Sequence, residues 1–297
     1  MLNEIKRKTI VSFDGTPIEV QSYGQGDLTM VIANGIGGTM AVWAPLLQAF
    51  KNRVRFISWD YRGLYNSGSP ASLDALRVED HAQDLQCIMA GLQLHKVVLC
   101  GWSMGVQVSL QAYHNMPERF EGLILINGSY GEIFNNAFEN PLSKHLIPRL
   151  NMLALKLAPA LPTLISTAGN TAFFVPLLEL LGIVDRKLDK EVFMHIVNLL
   201  PTLDFENYCS ILRHLNNHSA KKVLSEVDVP LLFINGTRDG FTPPSTANVF
   251  LEHVPQTEVF IIPNGTHYAL LEYPEMMNKR IAAFLDQHFS VRGTKSA

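Results

Sequence analysis

The sequence predicts an α/β protein: a mostly parallel sheet with helices on both faces, broken by one helical insertion. Apolar runs alternate along the chain with segments of helical periodicity, the signature of strand–helix–strand units. Several runs are unbroken, as expected of strands covered on both faces. The alternation stops at Ser129 and resumes at Pro230. With 297 residues, 47% hydrophobic and 17% charged, the chain has ample core for one large domain or two small ones.

In chain order, Thr9 to Phe13 and Pro17 to Tyr23 alternate apolar and polar around Asp14-Gly15, a hairpin signal. Leu28 to Ala33 is the first buried strand, opening into Asn34-Gly35-Ile36-Gly37-Gly38 and a helix from Trp43 to Phe50. Val54 to Trp59 follows, then the loop Asp60-Tyr61-Arg62-Gly63 and a helix from Val78 to Leu94. The strand Lys96 to Cys100 ends in Gly101-Trp102-Ser103-Met104-Gly105, and a helix runs from there to Met116, stopped by Pro117. Gly122 to Ile126 is another buried strand.

From Ser129 to Val223 the chain has many leucines and prolines and no clear strand, so short helices are expected. Leu157 to Leu178 carries no formal charge, yet Pro159, Pro162 and Pro176 with several polar residues interrupt it, which argues against a transmembrane span. Pro230 to Asn235 and Glu258 to Ile262 are the last strands. A helix from Pro244 to His253 lies between them, and one from Glu275 to Phe289 precedes a loose tail from Val291.

Bulk properties remove several function classes. A net charge of −3 supplies no basic field for nucleic acid. Three widely spaced cysteines (Cys87, Cys100, Cys209) match no metal-site spacing and fit reduced thiols in a cytoplasmic protein. The amino terminus lacks the apolar segment of a secretory signal. No metal or cofactor is called for.

The chemistry centres on Gly101-Trp102-Ser103-Met104-Gly105. A tight strand-to-helix turn strains the serine backbone and leaves no side-chain room two residues to either side, which the two glycines satisfy. Ser103 then sits at the carboxyl edge of the sheet, with Met104 at the positive end of a helix. A serine needs a base and a group to orient that base. Asp239 and His267 each follow a strand directly, so they emerge at the same edge as Ser103. Read without that context, the motif is an ordinary glycine turn, Asp239 a turn residue beside Gly240, and His267 one histidine of ten.

The order Ser103, Asp239, His267 resembles the α/β-hydrolase family over nearly the whole chain. The resemblance is to lidded serine esterases and lipases. It implies an eight-stranded sheet, with 1–128 and 224–297 as core and 129–223 as a helical cap. It further implies Ser103 as nucleophile, Asp239 as acid and His267 as base. Some members carry the acid after the sixth strand; here Asn127-Gly128-Ser129 offers no carboxylate. The resemblance places the oxyanion-hole amides at Met104 and Ile36, although Asn34-Gly35 stands where the family usually has His-Gly. Asn34, Gly35 and Trp102 are expected to border the pocket, and Asp60 and Arg62 to tie down their loop. The Asn-Gly-Ile-Gly opening is similar to that of intracellular polyhydroxyalkanoate depolymerases, a likeness too short to fix a substrate.

The expected activity is hydrolysis of a small carboxylic ester through an acyl-enzyme. Phe173, Phe174 and Phe193 in the leucine-rich insertion suggest an apolar, lipid-like acyl group, although such residues could equally bury the insertion's own helices. A thioesterase, carbon–carbon bond hydrolase or acyltransferase would keep the same three residues. Dehalogenases and epoxide hydrolases of this fold use Asp where Ser103 stands. A binding module without catalysis is the alternative of another class.

Overall fold

The computed structural model describes residues 4–140, 142–169 and 171–289. Eight strands form one sheet: β1 (Lys6–Val11), β2 (Pro17–Tyr23), β3 (Leu28–Ala33), β4 (Val54–Trp59), β5 (Val97–Trp102), β6 (Phe120–Ile126), β7 (Leu231–Gly236) and β8 (Thr257–Ile262). Their order is β1-β2-β4-β3-β5-β6-β7-β8. The first two pairings, β1 with β2 and β2 with β4, are antiparallel, and all the others are parallel.

Residue alternation explains why the central strands are apolar throughout. In β5, Val97 and Leu99 enter the core on one face, while Val98, Cys100 and Trp102 enter the core on the other. Helices Val78–Gly91 and Met104–Asn115 cover the first face; Ala44–Phe50 and Pro274–His288 cover the second. The register then decides where the loops emerge. Ala33 pairs with Gly101, Trp102 with Ile126, Ile126 with Ile234, and Gly236 with Ile262. The carboxyl ends of β3, β5, β6, β7 and β8 therefore form one rim, where ligands bind in open α/β sheets.

Two boundaries differ from the sequence expectation for physical reasons. The first hairpin strand is Lys6–Val11, not Thr9 to Phe13. Five of its six residues are exposed, so this edge strand lacks the alternation that would mark its start. Phe13 instead lies in the turn, where the Arg62 guanidinium sits 4.8 Å from its ring centre. The helix expected from Trp43 begins at Ala44, because Met40–Trp43 forms a tighter 3₁₀ turn capped by the Thr39 hydroxyl. The tail from Val291 lies outside the described residues.

Between β6 and β7 the described residues are helical, the longest helices being Ser143–Lys156, Lys190–Leu199 and Phe205–Asn217. An antiparallel bridge between Gly131 and Ser219, with the Ala220 amide donating to the Tyr130 carbonyl at 2.7 Å, brings the two ends of this insertion together. Its two ends therefore meet at one point of the rim, and the chain then runs on to the start of β7 at the opposite edge of the sheet.

Candidate active site

Ser103 occupies a strained backbone conformation, φ 55° and ψ −117°, between the end of β5 and helix Met104–Asn115. A side chain at Gly101 would place its Cβ 2.5 Å from the Gly105 carbonyl oxygen, and one at Gly105 would lie 2.0 Å from that of Ala33. Both glycines are thus sterically required. The Ser103 amide donates to the Ile126 carbonyl at 3.0 Å, which locks the turn to β6.

The three residues singled out in the sequence meet above this turn. Ser103 Oγ lies 2.9 Å from His267 Nε2, and His267 Nδ1 lies 3.0 and 3.1 Å from the two oxygens of Asp239. With the Nδ1 proton directed at the carboxylate, Nε2 is left to accept from the serine hydroxyl.

Asp239 is 2% exposed but not short of partners. Its carboxylate accepts from the Phe241 and Thr242 amides, from Thr242 Oγ1 at 2.6 Å and from Asn127 Nδ2 at 2.7 Å. Burial pushes its pKa up, but the facing imidazole and the hydrogen bonds from His267 and Thr242 outweigh burial and hold it below the ordinary carboxylate value. The group therefore favours its ionised form.

The loop after β3 completes the rim. Asn34 is buried and turned inward: its Nδ2 donates to Ser58 Oγ, and its Oδ1 accepts from Trp43 Nε1 at 2.8 Å. Its carbonyl accepts from the Tyr61 hydroxyl. Asn34 was expected to border the pocket; the structure makes it the brace of the loop, and the cavity is lined by Gly35 and Ile36. Trp102 is where the sequence placed it. Its indole donates to the His267 carbonyl at 3.1 Å, and its ring packs so closely on Gly35 that a Cβ there would meet it at 2.9 Å.

A cavity of about 430 Å³ opens over Ser103 and His267. Ile36, Met104 and Trp102 form its floor beside the serine. Its walls come mainly from the insertion and are mostly apolar, among them Phe134, Ile147, Leu150, Leu161, Phe205 and Leu212. Of the three phenylalanines suggested for an acyl site, Phe173 is 80% exposed, and neither it nor Phe174 or Phe193 lines the cavity. Among the described residues, no cluster of three or more His, Cys, Asp or Glu side chains is placed to hold a metal ion.

A model of the α/β-hydrolase fold family matches residues 29–274. The chain belongs to that family. Its α/β-hydrolase relatives include a 3-oxoadipate enol-lactonase of Acinetobacter baylyi, 21% identical over 94% of this chain and 96% of the relative. Another is the serine hydrolase BPHL of Mus musculus, 24% identical over 93% of this chain and 85% of the relative. Among solved structures, an esterase from Exiguobacterium antarcticum superposes with a TM-score of 0.78 at 18% identity, covering 95% of this chain and all of that one.

Two site residues of this α/β-hydrolase went unrecognised in the sequence. Asn127 was noted only for not being a carboxylate; at φ 44° it reaches from the end of β6 to both Asp239 and the Thr266 carbonyl. Glu272 is buried and accepts from Thr266 N, Thr266 Oγ1 and the Asp185 amide, all within 2.8 Å. It fastens the His267 loop to the insertion. Burial pushes its pKa up, and those hydrogen bonds only partly offset the rise. Neither residue has a local sequence signal: the partners of Asn127 are more than a hundred residues away, and Glu272 joins Thr266, six residues before it, to a backbone amide 87 residues away. Asp60 and Arg62 do tie their loop, though not to each other. Arg62 forks onto Asp84 at 2.6 and 2.8 Å and onto Asp14 at 2.9 Å, while Asp60 accepts from Gln21 and Asn66.

Proposed function

We propose that the chain is a serine hydrolase that cleaves carboxylic esters with an apolar acyl group through an acyl-enzyme, and that residues 129–223 act as its cap. The observation that carries the reading is the hydrogen-bonded row from Ser103 Oγ through His267 to Asp239. His267 takes the Ser103 proton as Oγ attacks the ester carbonyl, and the new imidazolium faces the ionised Asp239. The Met104 amide, at the first turn of its helix with no partner inside it, and the Ile36 amide receive the oxyanion; losing one such donor costs roughly 3–4 kcal/mol. The imidazolium gives its proton to the leaving alkoxide as the carbonyl carbon–oxygen bond of the ester breaks. The neutral imidazole then takes a proton from a water that attacks the acyl carbonyl, and passes it to Ser103 Oγ as the acid leaves.

The apolar walls above Ser103 favour an acyl chain over a polar one, since each buried methylene contributes about 0.8 kcal/mol. Relatives named as enol-lactonases and an esterase support carbonyl–oxygen cleavage as the reaction class. The test is hydrolysis of nitrophenyl esters of increasing chain length by the wild type beside Ser103→Ala. The reading expects kcat/KM to rise beyond acetate for the wild type and no turnover by the variant. Preference for acetate alone would remove the apolar acyl site from the account.

A further inference from the structure

The insertion carries a second feature that the ester chemistry does not use. Leu142, Leu146, Leu150, Leu153 and Leu157 recur every three or four residues along helix Ser143–Lys156 and its flanks, and each is 45% to 67% exposed. Beside this stripe run His145, Arg149, Met152 and Lys156, also exposed. At about 100° per residue the leucine and basic stripes are neighbours on the outer surface. The opposite side of the same helix, through Ile147, Asn151 and Ala154, lines the cavity over Ser103. Leu164, Phe173 and Leu177, farther along the insertion, are exposed as well.

Charge along this segment is distributed in the same sense, although Asp204 and Glu206 line a surface groove with Lys156. Between Glu139 and Glu179 the sequence has no acidic residue but contains Lys144, Arg149 and Lys156, in a chain of net charge −3. An apolar patch of this kind on a soluble protein marks a docking surface. A second copy of the chain meeting it face to face would set basic stripe against basic stripe. A sheet of anionic headgroups over acyl chains complements both stripes at once.

We infer that the outer face of helix Ser143–Lys156 docks on an anionic phospholipid surface, with the leucines in the acyl boundary and Arg149 and Lys156 among the headgroups. The helix lies on the membrane and does not cross it. No single described helix is long and apolar enough to span, and Ser143–Lys156 and Leu161–Gly169 diverge by 107°. Leu150 belongs to both the exposed stripe and the cavity wall, so docking sets the cavity beside the lipid. This inference concerns binding and stands whether or not Ser103 hydrolyses an ester.

The test is flotation of the full chain with phosphatidylcholine vesicles, with and without phosphatidylglycerol, at low and high salt. The expected result is binding to the phosphatidylglycerol vesicles alone, reversed by salt. Arg149→Gln/Lys156→Gln should weaken it about 25-fold, at about fivefold per charge. Leu146→Gln/Leu153→Gln should weaken it at least about tenfold. Thermal melts matching the wild type show that both variants are folded. Absence of binding, equal binding to both vesicle types, or undiminished binding by the charge variant would overturn the inference. So would a dimer in sedimentation that the leucine variant dissolves, since that result assigns the face to a second copy.

Discussion

Asn127 Nδ2 donates to Asp239 Oδ2 at 2.7 Å and to the Thr266 carbonyl at 2.9 Å, so one amide at the end of β6 holds the carboxylate of one loop and the backbone that precedes His267 in another. Asn127 follows β6 directly, and the carboxylate it clamps stands in the loop after β7. Asn127→Ala removes a hydrogen bond to a charged group, about 1.5–3 kcal/mol. The expected outcome is a fall in kcat of about 10- to 100-fold with KM little changed, read by steady-state kinetics. An unaltered kcat would show that Thr242 and the Phe241 amide position Asp239 without it.

The lowered pKa of Asp239 makes a prediction about acid. A carboxylate whose folded pKa lies below its unfolded value contributes stability that is fully present above about 3.8, the ordinary value for Asp. That contribution is lost as pH falls through the folded pKa. As pH falls below about 3.8 the wild type should lose stability more steeply than Asp239→Asn, by up to about 1.4 kcal/mol per pH unit for the one group. Urea unfolding at stepped pH measures the two slopes; parallel slopes would contradict the assignment.

Arg62 gives a prediction of pure stability. Its side chain is fully buried against an equally buried Asp84, with Asp14 at its other edge. Arg62→Ala leaves Asp84 charged and unpaired in the interior, a loss of about 3–5 kcal/mol. Urea denaturation should show it as a lowered midpoint, while turnover per folded molecule at low temperature stays near that of the wild type.

Glu272 predicts a coupling between insertion and site. It accepts three donors, from Thr266 twice and from the Asp185 amide. Glu272→Gln turns one of its oxygens into a donor facing a donor, which should cost about 1–3 kcal/mol. Hydrogen exchange should accelerate at Thr266 and Asp185 together. Acceleration at only one of them would break the proposed link.

The contrast between these residues and Ser103, Asp239 and His267 explains what could be read from the chain. The central strands were legible because both sheet faces are covered there, so their residues are mostly apolar, as in Leu28–Ala33 and Leu231–Gly236. Ser103 announced itself through Gly101 and Gly105, whose Cβ atoms would collide with neighbouring backbone. Asp239 and His267 followed from standing directly after strands. Asn127, Glu272 and Asp84 have ordinary local surroundings, and their roles arise from partners as many as 139 residues away. Asn34 misled for the same reason: a polar residue at a glycine loop reads as a ligand contact, whereas Ser58 and Trp43, which claim its side chain, lie elsewhere in the sequence.

The central claim is that Ser103 is the hydroxyl activated by His267. Reaction with a fluorophosphonate, followed by intact-mass and peptide mass spectrometry, tests it without choosing a substrate. The account predicts one adduct per chain, mapped to Ser103, absent from Ser103→Ala and at least about a hundredfold slower to form in His267→Ala. An adduct on another residue, or labelling of Ser103 at an unchanged rate in His267→Ala, would contradict it.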